Sequence, residues 1–407
     1  MSPGALARKG VAAASFLLAL AAPAWGAPPG REQRLQDFDA LSAAVERSYA
    51  YPESLAAWRA GVDRWRMRAA QANDEDQFVA ALEGALELLR DDQATLSRRS
   101  TRSPRRIPQE SDLWARFVDG TARIEAVRVA SDADMAGVQP GASVLRIEGI
   151  DVARAVDARL GDDRADPAAR DWALRHLLAG PRRGSYSLEL APGTRTVVVT
   201  HAKADPPVSA ALARRIGESR DVGYLRLRFG SAPSVMRQLD AGLAALEGVR
   251  ALVLDLRDSA APRNDGEIQA VLTRLGHEAG VWRVRIARSG ARTADRVVPS
   301  VHAVRAPLVV LVDRWTQGPA ESLALGLRAV SGASLIGTPM AMLRGVAGSV
   351  RLPHSGIVAR FATQRAHAPD GTPREDARPD VLVDLAAPSG GPGDPILYQA
   401  LKRLERR

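Results

Sequence analysis

The chain has 407 residues, a formal net charge of +9 at neutral pH and no cysteine. This length allows two or three domains. The lack of cysteine excludes disulfides, thiol catalysis, cysteine–metal sites and lipid attachment to an N-terminal cysteine.

The N-terminus has the features of an export signal. Arg8 and Lys9 precede the apolar stretch 10–22, which is too short to span a bilayer, and the small residues Ala24 and Gly26 follow it. We therefore expect residues 1–26 to be a signal peptide and the mature protein to be periplasmic, in a Gram-negative-type envelope, without a lipid anchor. An uncleaved membrane anchor is the alternative. No later stretch approaches the ~20 apolar residues of a spanning helix, and the basic charge favours anionic envelope surfaces over nucleic acid as partners.

Residues 27–110 are predicted to form a helical region followed by a linker. Apolar residues recur at helical spacing, first at positions 35, 38, 41 and 45 and then at 78, 82, 86 and 89. The stretch 97–110 breaks this pattern with prolines and five arginines and indicates a solvated linker. The alternative is that these arginines bind an anionic envelope surface: Arg98, Arg99, Arg102, Arg105 and Arg106.

Residues 111–204 are predicted to form short strands joined by glycine turns. The turn 136–141, Ala-Gly-Val-Gln-Pro-Gly, precedes a strand that ends at Glu148-Gly149. This pattern resembles the PDZ domains of bacterial envelope proteases. The resemblance implies a groove in which an extended peptide is added as an extra strand. The strand near 112–117 would open the groove, although it lacks the usual glycine-containing loop, and its candidate peptide-binding residues are Leu113, Trp114 and Phe117. The alternative is a PDZ-shaped spacer without a ligand.

Residues 205–407 alternate apolar strands with helices, which favours an α/β fold. Segments of this portion occur in the order found in peptidase family S41, the tail-specific or C-terminal processing proteases, and they span 222–229, 251–259, 307–327, 334–339 and 378–384. The segment 88–96 is similar to the one that ends the helical region of some members. The resemblance implies a ClpP/crotonase-like core of stacked β-β-α units, with parallel strands, an N-terminal helical region and an inserted or preceding PDZ-like β domain.

The segment 309–330 is where this resemblance implies a nucleophile. A buried strand at 309–312 is followed by a tight turn and by a helix that starts near Ala320. Such a junction exposes a side chain beside the amide-rich N-terminus of the helix. The family carries a serine three residues before a glutamate, and counting back from Glu321 gives Gly318, which has no side chain.

Three further parts that the resemblance implies are also missing. The lysine base corresponds to Leu343, or to Arg344 if the turn is one residue longer, and arginine does not deprotonate. The histidine of the other catalytic arrangement corresponds to Gln93. The glycines that support the oxyanion hole are replaced by Ala261 and Pro262, and proline has no N–H.

Other residues offer alternative chemistry. Thr316 and Ser322 flank Gly318 and are the fallback nucleophiles. Thr316 would need a distant histidine as its base, and the candidates are His302, His354 and His367. We expect no metal and no cofactor, because neither H-E-x-x-H nor a clustered His/Asp spacing is present.

The favoured hypothesis is an exported, non-catalytic S41-like protein that binds extended or C-terminal peptide segments of envelope proteins as a regulator or scaffold. The first alternative is an active serine endopeptidase with relocated catalytic residues. The second is a structural interaction protein whose cleft is filled by Trp315, Met340 and Met342. We also expect a buried or half-buried ion pair between Asp255 and Arg257 at a strand end.

Overall fold

The computed structural model describes residues 30–201, 211–227, 229, 232–258, 262, 264–387 and 393–405. The predicted signal peptide at 1–26 and Ala261 lie outside the described residues. Within these ranges, the helices fall short of the length and apolar character that crossing a membrane requires.

Helices occur in all three predicted portions of the chain. Several begin at a side chain that accepts a backbone N–H of the first turn, as Asp74 does from Gln77 and Asn264 does from Glu267. The helices are α1 (Arg31–Ser48), α2 (Ala56–Gln71), α3 (Glu75–Glu87), α4 (Asp132–Met135), α5 (Val152–Leu160), α6 (Pro167–Leu178), α7 (Ala232–Ala245), α8 (Asp265–Leu275), α9 (Pro319–Ser331) and α10 (Pro395–Glu405).

The strands form three sheets. In chain order they are β1 (Thr95–Leu96), β2 (Leu113–Val118), β3 (Thr121–Val127), β4 (Ser143–Ile147), β5 (Ile150–Asp151), β6 (Gly184–Ala191), β7 (Arg195–His201), β8 (Leu212–Ile216), β9 (Val222–Arg226), β10 (Ala251–Asp255), β11 (Gly280–Ala287), β12 (Arg292–Val297), β13 (Leu308–Val312), β14 (Ser334–Gly337), β15 (Val346–Arg351), β16 (Val358–His367) and β17 (Val381–Leu382).

The N-terminal helices share a core with strands from the far end of the chain. β1 pairs antiparallel with β16, in a sheet ordered β1-β16-β11-β12 that β15 joins beside β16. Phe38 of α1 and Leu82 of α3 are buried in one apolar cluster with Phe361 of β16. The helical region and the C-terminal portion therefore fold against each other.

Residues 113–201 form a separate antiparallel sheet, called the β domain below. Its order is β2-β3-β4-β6-β7, with β5 beside β4, so β2 is an edge strand of the described sheet. The helices α5 and α6 cover one face, where Val156 and Leu174 are buried against Leu188 of β6. This packing places α6 alongside β2.

The third sheet is the core of the C-terminal portion. Its order is β17-β14-β13-β10-β9-β8, and its strands are parallel except for β8. Along β13, Val310 and Val312 face the cluster formed by α7, α8 and α9, whereas Val309 and Leu311 face the cluster that contains α10. A strand that is buried on both faces appears in the sequence as a continuous apolar run. This is why the sequence pattern is sufficient to predict these strands.

The elements around the predicted site agree closely with the sequence. The strand expected at 309–312 is β13, and the helix expected near Ala320 begins at Pro319. The segment 378–384 forms a strand at Val381–Leu382, where it pairs with β14. Pro379 has no N–H for the ladder, and Asp380 is used instead to accept the amide of Leu335 at 2.7 Å.

The prediction that 97–110 is a solvated linker is wrong, as is that of a free arginine patch there. Arg105 is 4% exposed and lies 3.3 Å from a carboxylate oxygen of Asp112. Arg99 forms an ion pair with Glu110, which is also buried. Arg106 donates to a backbone carbonyl of β1. Composition alone could not show that carboxylates approach this segment, and the two arginines that stay exposed are Arg98 and Arg102.

Candidate functional site

The turn between β13 and α9 places Gly318 at the start of the helix, where the nucleophile is predicted. Its φ and ψ are +51° and −110°, a conformation that residues with a side chain rarely adopt. A Cβ atom added to Gly318 would have Leu343 Cδ1 as its nearest neighbour, at 3.9 Å. The structure thus brings together the positions predicted for the nucleophile and for its base, and neither carries a reactive group.

Glu321 connects these two positions through backbone amides. Its carboxylate is fully buried and accepts the N–H of Gly318 at 2.7 Å, of Met342 at 2.7 Å and of Leu343 at 3.3 Å. Burial raises the pKa of Glu321 to about 7, against the attraction of the nearby Arg374. As predicted, Glu321 lies in the first turn of α9, where a carboxylate complements the helix dipole.

Arg374 fills the space between the turn and α9. Its side chain is buried and donates to the carbonyl of Gly318 at 3.1 Å, to Ser322 Oγ at 3.1 Å and to the carbonyl of Leu343 at 2.9 Å. A guanidinium is protonated in proteins and offers donors only, so Arg374 orients these groups but cannot remove a proton. The sequence analysis missed this residue, because no motif marks it within the segment 372–380.

Gln93 reaches the same turn from the helical region. Its side-chain amide donates to the carbonyls of Arg344 at 2.6 Å and Gly345 at 2.7 Å. Three of the four positions at which the resemblance implies family catalytic groups, Gln93, Gly318 and Leu343, therefore surround one turn. The fourth, Ala261, lies outside the described residues, and the neighbouring Pro262 is buried.

The two fallback hydroxyls are used for internal contacts. Thr316 is fully buried, and its Oγ1 lies 3.1 Å from the carbonyl of Leu256 and 3.2 Å from Asp313 Oδ1. The same carboxylate oxygen accepts the amide of Thr316 at 2.9 Å, so Asp313 closes the turn locally. Ser322 is 3% exposed and faces Arg374. Neither hydroxyl is hydrogen-bonded to a histidine within the described part of the chain.

A large open cleft lies beside this turn. Its volume is about 1350 Å³, larger than the roughly 300–1,000 Å³ of common small-molecule pockets. The turn lines it with Met342 and Leu343, and β2 lines it with Trp114 and Val118. Trp315 and Met340, which were expected to fill such a cleft together with Met342, are instead buried within the protein.

The comparison with known families is consistent with this geometry. Residues 221–383 match the sequence model described as peptidase family S41. This chain carries a peptidase family S41 domain. A comparison with curated proteins gave no match.

Solved structures resemble this chain well beyond its matched domain. A photosystem II D1 C-terminal processing protease is 19% identical, with a TM-score of 0.55 over 87% of this chain and 93% of that one. Mature CPAF is 13% identical, with a TM-score of 0.57 over 92% and 97%. A lipoprotein from Streptococcus agalactiae is 10% identical, with a TM-score of 0.54 over 95% and 100%. At these identities the likeness shows a shared fold.

The predicted ion pair at the end of β10 is present in the S41 domain and is part of a larger network. Asp255 is fully buried and accepts from Arg257 at 2.8 Å and from Arg226 at 2.8 Å. Arg257 also pairs with Asp394 next to α10, at 2.6 Å. Burial raises the pKa of Asp255, but the two arginines outweigh burial and hold it below its usual value. This network fastens the last helix to the central sheet.

Two of the three predicted peptide-binding side chains are buried and therefore offer little surface to a ligand. Leu113 is fully buried in the β-domain core, and Trp114 is 4% exposed in a cluster with Trp315 and Leu343. Phe117 is half-buried, and its backbone N–H donates to Asp171 Oδ1 of α6 at 2.8 Å. The period-2 alternation of a strand does not reveal a second domain that packs on it, so the sequence could not show this burial.

The turn of the S41 domain is docked on the β domain. Trp315 Nε1 donates to the carbonyl of Ser111 at 2.9 Å, and Arg314 forms an ion pair with Glu125 of β3 at 2.6 Å. Both arginine and indole are buried. The two domains therefore share the wall of the cleft.

One group of side chains in the β domain and at Asp112, just before it, has the spacing of metal ligands. Ligand atoms of Asp112, Asp132 and His201 lie within 4.8 Å of one another. His201 Nδ1 is 2.9 Å from Asp132, and Asp112 is engaged by Arg105 and by the amide of Ala133. These hydrogen bonds and the neighbouring guanidinium account for the arrangement without an ion.

Proposed function

We propose that this S41 protein binds extended segments of other proteins in its cleft and does not cleave them. The observation that carries this proposal is the pairing of Gly318 with Leu343 at the start of α9. Covalent hydrolysis needs a nucleophile and a base within hydrogen-bonding reach, and this pair supplies neither. The buried guanidinium of Arg374 and the amide of Gln93 occupy the same turn with groups that are not basic.

The edge strand β2 supports the binding of an extended segment. An incoming strand can add to such an edge through main-chain hydrogen bonds, while its side chains enter the neighbouring pockets and determine specificity. In the structure Asp171 accepts the N–H of Phe117 at this edge, which shows that the edge donor is directed toward α6. A bound segment would lie between β2 and α6, the place of a ligand in a PDZ-like domain.

The proposed setting is the periplasm, where the protein would act as a regulator or scaffold for C-terminal or internal segments of envelope proteins. Two features of the sequence support this setting. The stretch 1–26 has the pattern of a signal peptide, and the net charge of +9 favours contact with anionic surfaces and partners.

The test measures cleavage and binding separately on the full chain. Unfolded protein substrates are incubated with the purified protein and analysed for fragments, while the affinity for labelled extended peptides is measured by fluorescence anisotropy. We expect binding without fragments. Cleavage that is abolished by Thr316→Ala or Ser322→Ala would show a relocated active site and overturn the proposal.

Two valines of the β domain provide a matched pair of variants. Val118 ends β2 and lines the cleft, whereas Val198 is 57% exposed on β7, at the opposite edge of the sheet. We expect Val118→Ala to weaken peptide binding and Val198→Ala to leave it unchanged. Equal affinities for both variants and the unmodified protein would contradict binding along β2.

A further inference from the structure

Two arginines of the cleft stack on the same indole ring. Arg175 Cζ of α6 lies 4.9 Å from the ring centre of Trp114, and Arg314 Cζ lies 5.1 Å from it. All three residues line the cleft, and Trp114 itself is 4% exposed. A guanidinium that stacks on an aromatic face keeps its N–H edge available for an anion.

The positive charge at this ring is only partly balanced by the protein. Glu125 pairs with Arg314 at 2.6 Å but is shared with Arg116. The Arg175 guanidinium forms neither an ion pair nor a hydrogen bond with another described residue, and the carboxylates that attract it from a greater distance are those of Asp92 and Asp171. The Nε atoms of Arg175 and Arg314 are both buried without a hydrogen-bond partner.

An anion beside Arg314 would lower the energetic cost of burying its positive charge. Its side chain is 7% exposed, and burial, together with the positive charges of Arg175 and Arg378, lowers its pKa to about 10 despite the attraction of Glu125. Arg378 is exposed and also lines the cleft. A charged donor that is buried without a full set of partners is costly, and an anion entering beside it would supply the missing acceptor.

We propose that Arg175 and Arg314 form a carboxylate subsite, so that the cleft selects segments that carry Asp or Glu side chains. This inference rests on the proposed function, because it names which extended segments the cleft takes. Bidentate pairing with a carboxylate is the geometry for which a guanidinium is suited. Arg175 offers that edge, whereas the two Nη atoms of Arg314 already donate to Met340, Met342 and Glu125 and leave its Nε as the donor without a partner. The basic net charge, +9 for the full chain and +9 − 2 = +7 without Arg8 and Lys9 of the predicted signal peptide, would steer acidic segments toward the protein.

The carboxylate is inferred to come from a side chain and not from a chain end. The cleft extends from Glu53 beside the helical region to Ala386 beyond β17. An extended segment that follows β2 would therefore continue past Trp114 and present its side chains to the two arginines.

The test uses labelled peptides of equal length that differ only in charge. They carry Glu, Gln or Lys at the same positions, each with a free or an amidated C-terminus, and their affinities for the full chain are measured by anisotropy at low and high salt. We expect the Glu peptide to bind about tenfold more tightly than the Gln peptide, as a charge-assisted hydrogen bond provides. This advantage should persist with an amidated C-terminus and decrease at high salt.

Two arginine variants locate the subsite. Arg175→Gln removes the stacked charge, and Arg183→Gln removes the same charge from an exposed position of the β domain that does not line the cleft. We expect Arg175→Gln to abolish the advantage of the Glu peptide over the Gln peptide, and Arg183→Gln to retain that advantage.

The outcomes separate this inference from the proposed function. Equal binding of the Glu and Gln peptides, or an advantage that Arg175→Gln does not alter, overturns the subsite while peptide binding stands. An advantage that disappears when the C-terminus is amidated assigns the carboxylate to the chain end and also overturns it. If no peptide of any charge binds, the proposed function itself is refuted, and the subsite with it.

Discussion

Replacing Gly318 with serine returns a hydroxyl to the start of α9, and we expect the variant to lose stability without gaining activity. The stability loss comes from the backbone. With φ at +51° and ψ at −110°, a residue with a side chain is held in a sparsely populated conformation, which costs about 1–3 kcal/mol. Crowding adds little, because the nearest atom to the new Cβ is Leu343 Cδ1 at 3.9 Å, an ordinary contact.

Activity should not return, because a serine hydroxyl is a weak nucleophile without a base. Leu343 is aliphatic, and the cation that fills the space behind it, Arg374, cannot accept a proton. The double variant Gly318→Ser/Leu343→Lys supplies both groups, and we expect it to react with a fluorophosphonate faster than Gly318→Ser does.

The assay combines thermal unfolding with fluorophosphonate labelling and cleavage of an unfolded protein. Gly280→Ala is the matched control, because Gly280 has an ordinary φ and its added Cβ would lie 3.8 Å from Val330; its effect should stay within about 0.5 kcal/mol. If Gly318→Ser alone labels and cleaves like an active serine peptidase, a base exists that the described geometry lacks. If it unfolds at the same temperature as Gly280→Ala, the strain argument is wrong.

Three further outcomes are expected. The folded state holds a proton on Glu321 up to about pH 7, whereas the unfolded chain releases it near pH 4.5. The free energy of unfolding should therefore fall as the pH rises from 4.5 to 7, by about 1.4 kcal/mol per pH unit from this group. Glu321→Gln should flatten this pH profile, measured by urea unfolding. Asp92 accepts hydrogen bonds from His176 at 2.8 Å and Trp172 at 3.1 Å, both in α6. Asp92→Asn should therefore raise the rate of amide hydrogen exchange in α6, and the exposed control Asp63→Asn should not. Unchanged exchange would show that this contact does not hold the β domain. Asp171→Ala frees the N–H of Phe117 at the edge of β2 and should increase the affinity for extended peptides by roughly 2- to 10-fold. Weaker binding would mean that Asp171 itself contacts the ligand.

The elements that build the site follow from local patterns in the chain. β13 is five consecutive apolar residues and α9 is an Ala/Leu-rich stretch after a proline, so periodicity and helix-start signals are sufficient to predict both. The altered positions Gln93, Gly318 and Leu343 were identified by resemblance to family motifs, and the structure brings them to one turn.

Other parts of the site could not be predicted, because they depend on contacts between distant segments. Arg374 reaches Gly318 across 56 positions of the chain, and nothing in its neighbourhood distinguishes it from the other arginines. The error at Arg105 has a different origin, since its partner Asp112 is near in the chain but lies outside the stretch 97–110 whose composition indicated a solvated linker. Trp114 was assigned to an open groove because the strand pattern does not show that Trp315 packs against it.

The sequence by itself determined the fold class and which residues stand at the positions where the family resemblance implies reactive groups, because strand and helix patterns and residue identities are local properties of the chain. Only the tertiary structure decided what surrounds those positions. The buried Glu321 and Arg374 hold the turn, and two arginines from different domains stack on Trp114 beside the cleft. Burial and pairing of charges depend on which segments meet in space, and a chain with 56 basic and 47 acidic residues allows many such pairings.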